Sequence, residues 1–385
     1  MSEYQGPYYR YDLQLLEETL SRLSRTSTKH NVSIKYALKA NHNEELLKVI
    51  KSHGFGIDAV SAEEIEHALA LGWNGNEIVF AGSGKTRREL AYALAVNVGC
   101  INCESVEEYA IINELKAELI ENSTAIALRI NPDLRVDTHE KISTGEKKHK
   151  FGMSFSDALA LIQRDYSICG LHFHVGSQVE DLSYFEDLSL RVRSFIDQLP
   201  KDYSLSYLNL GGGLGIDYNQ PEINTIPDFE GWIVALRKYL PESRVARLTI
   251  EPGRSIVGQC GQLIGQVQYI KNEDEDGGMA ILDIGMTELL RPALYGASHA
   301  ISTNPKTSVY KDYTVCGPSC ESSDTFGANY YLPELSSGDI VTLYSCGAYG
   351  ESMRLSYNLR KPIPAYYIKR NTKTCFKNTQ VKMAV

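Results

Sequence analysis

The chain predicts an α/β fold, a (β/α)8 TIM-like barrel plus a C-terminal, mostly antiparallel β domain. Three observations carry this expectation. From about residue 30 to residue 251, short apolar runs alternate with longer amphipathic segments, the alternation of strands and helices that builds parallel sheets. After Glu251 the texture changes to strand-like runs separated by turns. The length of 385 residues also exceeds one ordinary domain, so a large domain with a smaller one is the natural division. An open, doubly wound sheet has similar content, but eight strand–helix units in succession suit a closed barrel better. The expected domains are residues 28–255 for the barrel, and 1–27 together with 256–385 for the β-rich domain.

In chain order, "PYYRYD" reads as a strand that precedes a helix leading into the barrel, and it is able to pair with the C-terminal sheet. Barrel strands are expected at 32–38, 56–60, 77–80, 98–102, 124–130, 168–173, 207–210 and 246–251. Between them, segments such as "SAEEIEHALALG", "KTRRELAYALAV" and "SVEEYAIINELKAELI" place apolar residues at helical spacing. Several open on Ser or Thr followed by an acidic or polar first turn, as N-caps require. The polar stretch "LRVDTHEKISTGEKKHKFG" follows the fifth strand, where a barrel would place it beside the active site. Beyond Glu251, "GQLIGQVQYIK", "MAILDIG", "YTVCGP" and "DIVTLYSCG" read as strands, broken by turns such as "NEDEDGG" and "ELSSGD".

Composition narrows the function. Hydrophobic residues make up 43% of the chain, as in a folded enzyme, and the formal charge of −9 argues against a nucleic-acid-binding surface. No apolar run is long enough to span a membrane, and "MSEYQGPYYRYD" shows no secretory pattern. The eight cysteines are scattered, which argues against a disulfide scaffold and for the cytoplasm. Cys100 and Cys103 form a lone CxxC with no second pair, so no metal site is expected.

The active site of such a barrel forms at the C-terminal ends of its strands. Strand one is expected to end at Lys39, strand two at Asp58 and strand five at Arg129. Strand six runs into His172, His174 and Ser177, strand seven into Gly211, Gly212 and Gly213, and strand eight into Glu251 and Arg254. Singly, each has a bland explanation, since strand ends meet water, histidines fill cores and glycines make turns. Together they assemble a lysine, an imidazole, a carboxylate, an arginine and a glycine-rich turn at one mouth. That set meets the needs of pyridoxal 5′-phosphate. A lysine amine condenses with an aldehyde, a carboxylate keeps a pyridine nitrogen protonated, a flat imidazole stacks on a ring, and backbone N–H groups with Arg254 and Ser177 meet a phosphate.

The segments "YALKAN", "FHVGSQ", "LNLGGGLGIDY", "EPGRSIV", "LLRPALYGASH", "GPSCESSD" and "GAYG", in that order, resemble the pyridoxal-phosphate-dependent decarboxylases with an alanine-racemase-type barrel, and among them the diaminopimelate decarboxylases. The resemblance spans Lys39 to Gly350. It implies that Lys39 is the Schiff-base lysine, that His174 stacks on the cofactor ring, and that Ser177 and Gly211, Gly212 and Gly213 bind its phosphate. Glu251 would pair with the pyridine nitrogen, within an EPGR motif whose Pro252 and Gly253 also border the cofactor. Arg254 would lie near the phosphate and the substrate's distal carboxylate, which Arg291 and Tyr295 would hold. Cys320 would be the proton donor, Glu321 would meet the distal ammonium, and Tyr349 would contact phosphate and substrate. Asp58, Glu64 and Arg129 match supporting positions. In the family the Cys-Glu loop enters the site from the partner subunit, so a homodimer with shared active sites is implied. "GSQ" stands where the family more commonly has "GSG".

The chemistry of these residue types agrees with the implied activity. Loss of CO2 from an α-carbon leaves a carbanion, and a carboxylate that keeps the ring nitrogen protonated strengthens the electron sink. An arginine in its place would suit a racemase, so the glutamate of EPGR favours decarboxylation. The far end of the pocket sets the substrate. Ornithine and lysine end in an ammonium alone, whereas diaminopimelate ends in an ammonium and a carboxylate, for which Arg291 and Glu321 are complementary. The expected reaction is meso-2,6-diaminopimelate to L-lysine and CO2. The alternatives are decarboxylation of ornithine, lysine or carboxynorspermidine, or a pyridoxal-phosphate-binding protein without turnover.

Overall fold

The computed structural model describes residues 4–134, 150–245, 247–272, 274, 277–304, 307–370 and 379–383. The polar loop expected beside the site lies mostly at 135–149, outside the described residues, as does Cys375. The chain divides into two compact units. The barrel unit comprises 20–215 and 228–253, and the β unit comprises 1–19, 216–227 and 254–385. Segment 216–227, which lies inside the range expected for the barrel, groups with the β unit.

Strand β1 (Tyr8–Asp12) and helix α1 (Leu13–Lys29) open the chain, and the division passes through α1. Eight parallel strands then close a barrel: β2 (Val32–Ala37), β3 (Gly56–Ala59), β4 (Ile78–Phe80), β5 (Cys100–Cys103), β6 (Ala125–Arg129), β7 (Gly170–His172), β8 (Tyr207–Asn209) and β9 (Leu248–Ile250). Closure is explicit in the pairing of β9 with β2, Val32 opposite Leu248 and Ile34 opposite Ile250, which a doubly wound sheet would lack. All four residues of β3 and of β5 are buried, as strands covered on both faces require. Cys100 packs with Val79 and Ala127 in this core, and Cys103 is also buried, so the CxxC belongs to the barrel interior.

Helices α2 (Glu44–Ser52), α3 (Ala62–Ala70), α4 (Arg87–Ala95), α5 (Val106–Ala117), α6 (Phe155–Arg164), α7 (Ser183–Ile196) and α8 (Phe229–Arg237) alternate with the strands. The Ser, Thr, Asn and Asp residues at their starts are true caps. Side chains of Asn43, Ser61, Thr86, Ser105, Ser154 and Asp228 each accept a backbone N–H of the first turn, worth about 1 kcal/mol apiece. These caps fix where each strand-to-helix loop ends, and so the mouth those loops surround.

The strand expected to reach Lys39 stops at Ala37. The Ala37 N–H is taken by the Pro252 carbonyl oxygen at 3.1 Å, and Leu38–Ala40 form a single 3-10 turn. Lys39 therefore stands on a turn that continues its strand. At the other end of the barrel sequence, α9 (Arg254–Val257) begins the β unit's long C-terminal segment, so Arg254 is a helix residue of that unit and not the end of strand eight.

The β unit is built on a nine-stranded sheet. Its later elements are β10 (Gly261–Lys271), β11 (Gly277–Leu282), α10 (Arg291–Tyr295), β12 (Ile301–Thr303), β13 (Tyr310–Cys316), β14 (Thr325–Pro333), β15 (Ile340–Leu343), β16 (Ala365–Arg370) and β17 (Thr379–Met383). The main path runs β14-β13-β11-β10-β1-β16-β17, mostly antiparallel, with β15 joining β10 to β12. The N-terminal strand does pair there, antiparallel to β10 and parallel to β16. It buries Tyr9 and Tyr11 on one face, the period-2 pattern of a half-covered strand. No helix among the described residues is long and apolar enough to cross a membrane.

Candidate active site

In the barrel unit, the strand ends bring Lys39, Asp58, His174, Gly211–Gly213 and Glu251 to one mouth. Lys39 Nζ lies 3.5 Å from Asp58 Oδ2, with its side chain 38% exposed and that of Asp58 1% exposed. The lysine thus keeps access to solvent while its partner is sealed in. Burial, and then the charge on Glu251, push the Asp58 carboxyl up to about 8. Glu251 is the opposite case. Burial pushes its carboxyl up, but His172 beside it, together with His174 and Lys39, holds it down at about 2. Of these two buried carboxyl groups, Glu251 carries the charge and Asp58 the proton.

Glu251 is hydrogen-bonded by two residues to which the expected site gave no role. His172 Nε2 donates to Oε2 at 3.1 Å, and Asn209 Nδ2 donates to Oε1 at 2.6 Å. Asn209 also accepts the Gly211 N–H through Oδ1 at 2.9 Å, so one amide ties the carboxylate to the glycine turn. The available signal was "LNLGGG", where a fully buried asparagine interrupts an apolar run, a placement that demands hydrogen-bond partners.

The glycine turn fits a group that approaches backbone closely. Gly211 has φ +66°, and a Cβ there would fall 2.6 Å from His174 Nδ1. A Cβ on Gly212 would fall 2.3 Å from the Glu251 carbonyl oxygen. The Gly212 N–H donates to His174 Nδ1 at 3.2 Å, so His174 carries its proton on Nε2. Burial, then the Lys39 and Arg129 cations, hold His174 well below the usual imidazole range, leaving a flat neutral ring at the mouth. Ser177 is half-buried on the loop after β7. Pro252 and Gly253 follow Glu251, and Gly253 packs on Ala37 and Ala40 of the Lys39 turn.

The supporting residues are placed as braces. Arg129 Nη1 donates to Glu104 Oε1 at 2.5 Å, and its guanidinium covers the Phe151 ring at 4.8 Å. Glu64 accepts the Val60 N–H at 2.8 Å, fastening the turn after β3.

The β unit holds a second cluster. Arg254 Nη1 donates to the Tyr218 hydroxyl at 2.6 Å, and its guanidinium lies over the Tyr349 ring at 4.8 Å. Arg291, at the start of α10, stacks on the other residue's partner: its guanidinium lies 4.5 Å from the centre of the Tyr218 ring. Arg291 is 4% exposed, has no carboxylate partner among the described residues, and its Nε has no hydrogen-bond partner. Tyr295, half-buried, closes the same short helix. Tyr349 adopts φ +57°, a left-handed conformation unusual for a bulky side chain and of the kind found at functional sites. Tyr218 was not among the expected site residues, though it ends the motif "LNLGGGLGIDY".

Cys320 and Glu321 hold other partners. Both are exposed. The Cys320 N–H donates to Asn358 Oδ1 at 3.1 Å, and Glu321 Oε1 accepts from the Tyr357 hydroxyl at 2.9 Å.

Comparison with known proteins agrees with this geometry. Residues 13–258 match the family described as pyridoxal-dependent decarboxylase, pyridoxal binding domain. The chain is 41% identical over 365 residues to a diaminopimelate decarboxylase of Bacteroides thetaiotaomicron, covering 93% of this chain and 94% of that one. It is 36% identical to that of Neisseria meningitidis serogroup A, covering 92% of this chain and 87% of the relative. Among solved structures, Helicobacter pylori diaminopimelate decarboxylase complexed with L-lysine superposes with a TM-score of 0.87 at 33% identity, covering 99% and 95% of the two chains. The cofactor is pyridoxal 5′-phosphate, for which the lysine, the ionised Glu251 and the bare glycine turn are suited. The chain belongs to the pyridoxal-dependent decarboxylases, among the diaminopimelate decarboxylases.

Proposed function

We propose that this protein converts meso-2,6-diaminopimelate to L-lysine and CO2. The observation that carries the substrate is Arg291, a buried cation that no carboxylate neutralises among the described residues. A buried charge without a partner is costly, and a substrate carboxylate supplies one. Relatives named for this activity, and a relative's structure with L-lysine bound, support the reading.

Pyridoxal phosphate, when bound, supplies the sink for the electron pair left on the α-carbon as CO2 departs. Lys39 is the amine that would hold the cofactor's aldehyde carbon. Glu251, hydrogen-bonded by His172 and Asn209, would accept the N–H of the ring nitrogen. His174 would cover the ring face. Gly211, Gly212 and Gly213 with Ser177 would hold the phosphate, and Asp58, Pro252 and Gly253 would border the cofactor. Arg291 binds the distal carboxylate, with Tyr295 and Arg254 beside it in function, Glu321 accepts from the distal ammonium, and Tyr349 meets phosphate and substrate. The thiol of Cys320 delivers the proton that the α-carbon takes in place of its carboxylate.

The active form is a homodimer in the cytoplasm, with Cys320 and Glu321 serving the partner's site. Support comes from the exposure of both residues beside large apolar side chains, Leu355, Tyr357 and Leu359, the last 93% exposed. The seven described cysteines are free thiols, which suits a reducing compartment.

Release of CO2 measured side by side from meso-diaminopimelate, ornithine, lysine and carboxynorspermidine tests the substrate, and preference for any of the last three overturns it. Mixing inactive Lys39→Ala with inactive Cys320→Ala tests the shared site. Mixed dimers recover activity, and a mixture that stays dead refutes the exchange.

A further inference from the structure

His299 is buried and bonds to Arg291. It is 1% exposed. Its Nδ1 lies 2.8 Å from the Tyr344 carbonyl oxygen. A carbonyl only accepts, so Nδ1 carries the proton, and the neutral ring then presents a lone pair at Nε2. That lone pair faces Arg291 Nη1 at 2.7 Å. The Tyr344 carbonyl thus selects the one tautomer able to accept from the arginine. Burial, then the Arg291 charge, push the imidazole down to about 3, so the ring stays neutral throughout the working pH range.

The guanidinium is fixed in two ways. His299 takes one terminal nitrogen, and the Tyr218 ring covers one face at 4.5 Å. Tyr218 also meets His299 edge-on, with centroids 5.1 Å apart and planes at 80°. A guanidinium is a rigid planar fork that binds a carboxylate only in its own plane. One corner and one face together determine that plane, and the buried Nε donor remains unpartnered.

We propose that His299, in the tautomer selected by the Tyr344 carbonyl, is a positioning residue that sets the guanidinium plane of Arg291 and thereby the preference for substrates with a distal carboxylate. This rests on the reading that Arg291 binds that carboxylate.

Two substitutions separate positioning from packing. His299→Asn keeps a donor where Nδ1 stood and loses the acceptor for Arg291. His299→Gln reaches further and places an amide oxygen near the former Nε2. Holoenzymes are assayed with meso-diaminopimelate and with L-lysine, which lacks the distal carboxylate. A hydrogen bond to a charged group carries about 1.5–3 kcal/mol, so His299→Asn is expected to raise KM for diaminopimelate roughly 10- to 100-fold at nearly constant kcat. The slower turnover of lysine stays unchanged, and His299→Gln recovers most of the loss. Equal losses on both substrates, or no loss on diaminopimelate, overturn the proposal. Wild-type enzyme that turns over lysine as well as diaminopimelate fails the underlying substrate reading, and the proposal with it, before any variant is made. Should His299→Asn not fold, 15N spectra of histidine-labelled wild-type holoenzyme decide. The His299 imidazole, identified as the signal missing from His299→Gln, supports the proposal when protonated at Nδ1 alone from pH 5 to 9 and overturns it when protonated at Nε2.

Discussion

Replacing Arg291 with methionine is expected to leave the substrate-free protein nearly as stable while removing its substrate preference. The guanidinium is buried without a carboxylate partner among the described residues, and its Nε is unpartnered. Taking a cation out of water costs several kcal/mol, and an unsatisfied buried donor adds about 1–3 kcal/mol. Against this stand the Tyr218 ring at 4.5 Å and the hydrogen bond to His299 at 2.7 Å. Such contacts contribute about 2 kcal/mol and about 1.5–3 kcal/mol respectively. The two sides nearly cancel. Methionine fills a similar volume without the charge, so the net change is under about 2 kcal/mol in either direction, a Tm shift of a few degrees at most. Substrate binding has no such offset. Removing one partner of a buried, hydrogen-bonded charge pair costs about 2–5 kcal/mol, so kcat/KM for diaminopimelate falls by roughly two to three powers of ten. Turnover of L-lysine, which brings no distal carboxylate, falls far less. Scanning calorimetry and CO2 release on both substrates make the test. A steep fall in Tm together with unchanged kcat/KM for diaminopimelate would refute the reasoning, because Arg291 would then be a structural cation.

Gly212→Ala places a Cβ 2.3 Å from the Glu251 carbonyl oxygen, so the turn and the carboxylate beside it must separate. Such overpacking costs about 1–3 kcal/mol. Cofactor affinity, followed by fluorescence titration, is expected to fall roughly 10- to 100-fold, and an unchanged affinity contradicts the cradle. In the cofactor-free protein the two buried carboxyls give opposite pH dependences. Glu251 lies below its unfolded value of 4.5, at about 2. Its contribution, about 3 kcal/mol, is complete above pH 4.5 and is lost as pH falls toward 2. Asp58 lies above its unfolded value of 3.8, at about 8, so its contribution is present below pH 3.8 and is lost as pH rises through 8. Between pH 5 and 8 the wild-type apoprotein should therefore lose thermal stability that Asp58→Asn retains, and parallel curves for the two proteins contradict the assignment. Borohydride reduction of the holoenzyme followed by peptide mapping should find the pyridoxyl mass on Lys39. Its appearance on the buried Lys85 instead would move the site.

The strands and helices were legible because their signals are local. Apolar period, a Ser or Thr cap and a glycine turn act within a few residues, so all eight barrel strands lie where the apolar runs lie. The motifs stand on strand ends and turns for the same reason. Lys39 shows the limit of that reading, since its strand ends two residues early, at Ala37, and gives way to the 3-10 turn Leu38–Ala40. The state of each site residue was not local. Glu251 is ionised because the fold brings His172, from 79 residues away, beside it together with His174 and Lys39, while Asn209, from 42 residues away, bonds its other oxygen. Arg291 has its plane set by Tyr218, by His299 and, through His299, by Tyr344. The sequence by itself determined which groups are present and which backbone segments carry them. Only the tertiary structure decided which of them are charged, which tautomer they hold and which donor is left open, because solvation and hydrogen-bond partners are properties of a place in the folded chain and not of a residue type.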